Sequence, residues 1–269
     1  MCKFKSGIIL KNKVVLTPEG NESHSDLLES LGIEDTHMNA TKTFVRAELS
    51  PKDDNKYTDI SKWKYRVDQD IVPNWYEEDS ARYEQEFKDA VRTYMKEYME
   101  KRNIVTICGY GWTKIKEDEN GTYYLMDGSL KESKFGRTNN YADSYIRKNL
   151  NESNLSKELK EKFGDNLVPI TTNLLSLDGL DDYGKVDGDI LAIPTIDLYR
   201  ECRKNISNLD SWFWTCTPDS TPSGCGSGSV RCVRSGGYVD YGWCGYSGAV
   251  RPFFILKSDI FVSCEETEA

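Results

Sequence analysis

In the N-terminal third of the chain the spacing of apolar residues switches from two to three or four, which predicts a few strands followed by one long helix. Gly7 to Leu16 is rich in Ile and Val but is interrupted by Lys11-Asn12-Lys13, the pattern of two strands joined by a tight turn. Ser23 or Ser25 can cap a short helix through Leu31, with Gly32 placed to end it. Thr43–Leu49 alternates in strand fashion, Pro51–Asp59 is polar and turn-like, and Trp63–Val67 predicts another short strand. From Asp79 or Ser80 to about Arg102, the residues Tyr83, Phe87, Val91, Tyr94 and Tyr98 draw one apolar stripe on a helix, read here as core packing.

Near Asn103 the periodicity changes again, so the chain is expected to divide into a unit over 1–102 and a second over 103–269. Ile104–Cys108 is short and β-branched. Trp112–Glu117 and Thr122–Met126 flank Asn120-Gly121, a hairpin signal because that pair tolerates positive φ. Helices are expected over Tyr141–Leu150, over Asn154–Phe163 with Leu155, Leu159 and Phe163 on one face, and over Pro194–Arg203. Between them lies an acidic loop, LDGLDDYGKVDGD. Trp212–Thr217 and a closing strand over Val250–Val262, around Arg251-Pro252, complete an α+β pattern.

The vocabulary changes between Thr215 and Gly248, where Lys, Glu, Gln and Met are absent. Ser, Gly, Tyr, Thr and Cys replace them, with Trp212, Trp214 and Trp243 at or near the ends. Rigid amphipathic rings among small polar residues are the composition of a recognition surface. Charge adds an exclusion. Residues 1–102 hold 17 basic and 20 acidic side chains and the remainder 18 and 24, so both units are mildly acidic. With no basic stripe to neutralise phosphates, a nucleic-acid partner is not expected. No apolar run has the length to cross a bilayer, so membrane insertion is not expected either. The start, MCKFKSGIILKNKVVL, is broken by Lys11, Asn12 and Lys13 and makes a poor signal peptide. The expected setting is the cytoplasm or a phage virion, with the cysteines reduced.

Four ordered segments carry a family resemblance: KFGRTNNYADSYIRKNLN, LLSLDGLDDYG, WFWTCTPDS and SVRCVRSGGYVDYGWCGYSGAVRPFFILKS. Together they resemble a lectin-like domain of unknown function found in bacterial and phage proteins, many of them targets of diversity-generating retroelements. The likeness spans about residues 104–264, anchored by Trp212, Trp214 and Pro218 and by Val250-Arg251-Pro252. Residues 1–102 resemble N-terminal regions of uncharacterised phage-type proteins. The resemblance implies a C-type lectin-like fold for the C-terminal unit, beside a small α+β N-terminal unit. It also implies a surface that varies by mutagenesis at template adenines, commonly in AAC or AAT codons. Changing the first two bases of such codons never yields Lys, Glu, Gln, Met or Trp. Segment 215–248 fits that rule except at Trp243, which would then be fixed or otherwise encoded.

No pattern in the chain completes a chemical site. Cys216, Cys225, Cys232 and Cys244 are separated by eight, six and eleven residues, without the close pair that zinc sites use, and read as free thiols on or under a loop. Cys2 could be an N-terminal nucleophile, but the chain has two histidines, His24 and His37, and a strand-edge cysteine is the simpler account. The Glu-Pro-Asn, Gln-Pro-Asp and Trp-Asn-Asp signatures of calcium-dependent sugar binding are absent. Nor can the paired active-site cysteines of formylglycine-generating enzymes, which share the fold, be mapped here. Asp178, Asp181, Asp182, Asp187 and Asp189 lack EF-hand spacing and read as a solvated loop. No cofactor, metal or catalytic residue is expected.

What remains is non-catalytic binding of a protein or glycan, with oligomer formation left open. The contact residues expected are Tyr238, Asp240, Tyr241, Trp243 and Tyr246, joined by Thr217, Ser223, Cys225, Arg234 and Cys244. Arg234 precedes Ser235-Gly236-Gly237, where a turn should expose it, and Arg251 beside Pro252 reads as a buried anchor. Val230, Cys232 and Arg234 share one strand face and Arg231, Val233 and Ser235 the other; alternation leaves open which faces inward. A second reading from another class is a phage-encoded intracellular inhibitor that caps a basic groove on a host defence enzyme.

Overall fold

The computed structural model describes residues 6–17, 29, 32–34, 44–51, 59–68 and 72–258. The chain divides between Arg102 and Asn103 into two units, both of mixed α+β composition. The helix expected through Leu31 falls almost wholly outside the described residues, as do Cys2, His24 and His37.

In the N-terminal unit β1 (Ser6–Leu10), β2 (Lys13–Thr17), β3 (Phe44–Ser50) and β4 (Lys64–Val67) form an antiparallel sheet in the order β2-β1-β3-β4. Leu10 pairs with Lys13, so Lys11 and Asn12 are the turn. A short helix α1 (Asn74–Glu78) leads into α2 (Ser80–Lys101). Tyr83, Phe87, Val91 and Met95 are the buried residues of α2, each four positions from the last, and they pack with Ile9, Val45, Ala47 and Leu49 of the sheet. Met95 continues the stripe where Tyr94 and Tyr98 were expected to; both tyrosines are only partly buried at its margin. The Tyr83 hydroxyl donates to Lys11 O at 2.6 Å, tying helix to hairpin. Asn103, at φ 53°, takes the left-handed conformation that ends helices.

The C-terminal unit holds two five-stranded sheets and a two-stranded ribbon. One sheet combines β5 (Ile104–Ile107), β6 (Tyr110–Asp118), β7 (Gly121–Met126), β9 (Leu167–Val168) and β16 (Phe253–Leu256) in the order β5-β6-β7-β16-β9. The other combines β8 (Lys131–Lys134), β12 (Phe213–Pro218), β13 (Ser229–Val233), β14 (Val239–Trp243) and β15 (Ser247–Val250) in the order β14-β13-β12-β15-β8. The ribbon is β10 (Ile170–Asn173) with β11 (Lys185–Asp189). Helices α3 (Tyr145–Asn151), α4 (Asn154–Phe163) and α5 (Ile196–Glu201) begin at Ser144, Ser153 and Thr195, each of whose side chains accepts a backbone N–H of the first turn. Residues 141–143, expected to be helical with α3, form a separate 3-10 turn because Ser144 is extended and starts the helix afresh. Among the described residues no helix is long and apolar enough to cross a membrane.

The single closing strand expected over 250–262 is, within its described part, two strands in different sheets, and 259–262 lie outside the described residues. Pro252 has no N–H to continue a ladder, and the chain passes there from β15 to β16. Leu130 N donates to Val250 O and Met126 N to Pro252 O, so each carbonyl flanking the crossing is taken from a different side. Arg251 has no exposed surface. Its Nε donates to Met126 O and one terminal nitrogen to Ser207 O, both at 2.7 Å, and the other reaches Ser207 Oγ at 3.3 Å and Asp127 O at 3.4 Å. The Phe213 ring lies 5.4 Å from the guanidinium carbon.

Arg251→Met should therefore leave buried carbonyls without donors, costing about 3 kcal/mol. Calorimetry should show the melting temperature of the C-terminal unit falling by roughly 6–12 °C, at 2–4 °C per kcal/mol for a unit of this size. A shift under about 2 °C would show that the corner is held by something else.

Candidate functional surface

The sheet carrying segment 215–248 is laid on two indoles. Trp212 and Trp214 meet edge to face at 4.6 Å, and Trp214, fully buried, donates Nε1–H to Ser133 O at 2.9 Å. A Cβ on Gly248 would stand 2.4 Å from the Trp212 ring, and one on Gly242 would stand 3.0 Å from Trp214. The glycines are thus part of the packing: they let backbone rest directly on the rings. Val230, Cys232 and Cys244 are buried, as is Gly242, whereas Tyr241 and Trp243 point out. Period-two alternation along β14 makes this division.

Outward, the surface is aromatic. Tyr238 is 62% exposed, Tyr241 48%, Trp243 56% and Tyr246 61%. These are four of the seven exposed large hydrophobic residues among those described, and they fall within nine consecutive positions of an outermost strand and its following turn. Tyr241 stands opposite Arg231 in the ladder, with the guanidinium 6.0 Å from its ring, and Trp243 opposes Ser229 while its indole lies over Gly228. The turn from β13 to β14 closes through Gly237 N to Arg234 O at 2.8 Å and is pinned by the Tyr199 hydroxyl on Gly237 O at 2.7 Å.

The cations here are matched locally. Arg231 pairs with Asp219, and Arg234 pairs with Asp240 at 2.8 Å while reaching Tyr241 O at 3.2 Å. The Tyr241 backbone N–H, then Arg234, hold the Asp240 carboxyl below its ordinary value. The aromatic face thus presents neither sign of charge in excess.

Behind the loop that precedes β13 stands a set of acceptors from outside the segment. Ser220 Oγ donates to Asp178 Oδ2 at 2.7 Å and itself accepts from Cys225 N at 2.8 Å. Asp182 accepts from Ser223 N at 2.9 Å and Ser223 Oγ at 2.6 Å. Asn139, fully buried, donates to Ser220 O and Ser229 O and accepts from the Tyr183 hydroxyl. The acidic loop was expected to be simply solvated, and this needs correction. Asp178 and Asp182 are loop anchors, and Asp189, 2% exposed, is clasped by Arg147 and Asn151. Asp178, Asp181, Asp182 and Asp187 are all exposed as expected, so the correction is that two of these solvated carboxylates also hold the loop and that Asp189 is buried. Among the described residues no three Cys, His, Asp or Glu side chains converge as metal ligands.

Of the ten expected contact residues, Tyr238, Tyr241, Trp243, Tyr246, Ser223 and Cys225 are exposed, and Arg234 and Asp240 are half-buried in their ion pair. Two lie buried away from the aromatic face. Thr217, 8% exposed, turns its hydroxyl to accept Ile196 N at 3.0 Å. Cys244, 4% exposed, directs its thiol at Gly228 O, 3.0 Å away. Burial pushes the Cys232 and Cys244 thiols up to about 11, and Cys216, fully buried, higher still. Cys244 was legible as inward, since it alternates with Trp243; Thr217 was not, because every residue of β12 is buried. Tyr145, 41% exposed, was missed: it lies in a helical pattern, and its backbone N–H donates to Phe135 O, whose own N–H donates to Cys244 O. No family model, curated protein or solved structure matches the chain.

Two outcomes check this geometry. The Ser176 and Ser220 hydroxyls, and the Ser223 side chain and N–H, lower the Asp178 and Asp182 carboxyls below the ordinary 3.8. A depressed carboxyl stabilises the fold above its unfolded value and stops doing so as pH falls through its folded one. The protection factor of the Ser223 amide should hold from pH 7 to about 4, fall only below that, and be lost throughout in Asp182→Asn; loosening near pH 6 would contradict the clamp. Separately, a thiol reagent applied to folded protein should label Cys225 before Cys216, Cys232 and Cys244, which it should reach only on unfolding. Peptide mapping by mass spectrometry reads the order.

Proposed function

We propose that the C-terminal unit is a non-catalytic recognition domain of the lectin-like type, binding a protein or glycan through the aromatic face of β14 and the turn after it. The observation that carries this reading is the exposure of Tyr238, Tyr241, Trp243 and Tyr246 over a base of buried Val230, Cys232 and Cys244. Exposed rings in water have unfavourable hydration that a partner relieves, and an aromatic cluster on a rigid support loses little entropy when covered. The support is rigid here because Asp178, Asp182 and Asn139 fix the loop backbone before any ligand arrives. The resemblance stated from sequence favours the same segment. Nothing in the surface is arranged for bond-making: the thiols beneath it are buried and protonated at neutral pH, and both arginines already have carboxylates.

The charge-matched face bears on the inhibitor reading too. A protein that mimics nucleic acid on a basic groove binds through excess negative charge and weakens steeply with salt. An aromatic, neutral contact should be nearly indifferent to salt.

The test is to pass immobilised full-length protein over a glycan array and over lysates of candidate host cells, then measure retained species against variants. Tyr241→Ala and Trp243→Ala should each weaken binding about 30-fold, corresponding to roughly 2 kcal/mol for a central aromatic, with melting temperature unchanged. Affinity should change less than about threefold between 50 and 300 mM salt. Full retention by both variants would refute the surface, and a steep salt dependence would favour the inhibitor.

A further inference from the structure

The two-stranded ribbon β10–β11 has an edge that nothing in the described chain covers. Leu174 N donates to Gly184 O, and Thr172 pairs with Val186, so the bonded positions on β10 are the even ones. The N–H and C=O groups of Thr171 and Asn173 therefore point away from β11, and among the described residues neither backbone has a partner. That edge borders a groove of about 530 Å³, within the usual range for binding sites, about 300–1,000 Å³. Its floor is apolar, made by Ile193, Phe253 and Ile255, and the facing wall is α5 with Asp197, Leu198 and Glu201. Beyond β10 the exposed row continues as Leu175 and Leu177, each 43% exposed and the only aliphatic members of the exposed large hydrophobic set among the described residues. Leu175 forms one lip of the groove.

Charge selects the occupant. The groove's one cation, Lys116, is held between Asp118 and Glu201 at 2.8 Å each. Asp197 pairs with Arg200 at 3.0 Å, and its side chain is 86% exposed. Three carboxylates, Asp118, Asp197 and Glu201, thus share two cations, so the wall keeps a net negative charge; the floor is greasy, and the edge offers unused backbone donors and acceptors. We propose that this groove binds an extended segment of a partner protein, which adds to β10 as a third strand. The segment alternates apolar side chains, set on the floor and against Leu175, with basic ones facing Asp197 and Glu201. A free edge of this kind is otherwise an aggregation hazard. The site is separate from the aromatic face, and neither requires the other.

A displayed library of random heptapeptides panned on the immobilised full chain is the probe. Peptides alternating apolar with Lys or Arg should be enriched, and a synthetic copy of the most enriched one should bind in fluorescence anisotropy. Thr171→Pro removes the outward N–H while sparing the bonds to β11; it should weaken that peptide at least tenfold with unchanged melting temperature. Trp243→Ala, on the other surface, should leave peptide affinity as it is. If Thr171→Pro lowers stability, peptides methylated at alternate backbone nitrogens on the unaltered protein replace it: one register should abolish binding and the register shifted by one should keep it. No enrichment, binding indifferent to Thr171→Pro, or equal effects of both methylation registers would overturn the proposal. So would a dimer in sedimentation that Thr171→Pro dissociates, since the occupant would then be a second copy.

Discussion

A guanidinium without exposed surface joins the two large sheets of the C-terminal unit. Arg251 sits where the chain leaves β15 for β16, and its donors end on the carbonyls of Met126, Asp127 and Ser207, from two other stretches of chain. A planar fork of donors suits convergent carbonyls in a way a single ammonium does not. Pro252 adds the complementary constraint, since a residue without N–H cannot extend the ladder it leaves. With that corner fixed, β15 is set beside β12 and β8, and β16 between β7 and β9. The orientation of β14, and so of the aromatic rings, follows through β12 and β13.

The unusual composition of residues 215–248 has two separable causes. Gly242 and Gly248 are dictated by the indoles they rest on, and the buried cysteines by the limited space beneath the sheet. Tyr238, Tyr241, Trp243 and Tyr246 lie outside the core, about half or more of each exposed. Composition alone cannot tell the two apart; burial does.

Much of the architecture was legible in the sequence for local reasons. The Lys11-Asn12 turn, the apolar stripe of α2 and the Asn120-Gly121 hairpin are each specified by a few adjacent residues. What was not legible depends on distant ones. The strand β8, KESK, carries no apolar signal and exists because β15 lies alongside it. The ribbon was hidden in a polar stretch whose anchors lie far along the chain, as with Asp189 and Arg147, 42 positions apart. The two misplaced contact residues divide the same way. Cys244 follows from alternation along its own strand, whereas Thr217 belongs to a central strand covered on both faces, where alternation vanishes.

The clamp behind the 220–226 loop separates two burdens that most surfaces must carry together. Its holding groups, Asp178, Asp182, Asn139 and Tyr183, all belong to stretches earlier in the chain, and they grip backbone or short hydroxyls. The large side chains that face solvent on β14 take no part in this clamp. Substitution at those ring positions would leave every hydrogen bond of the clamp in place.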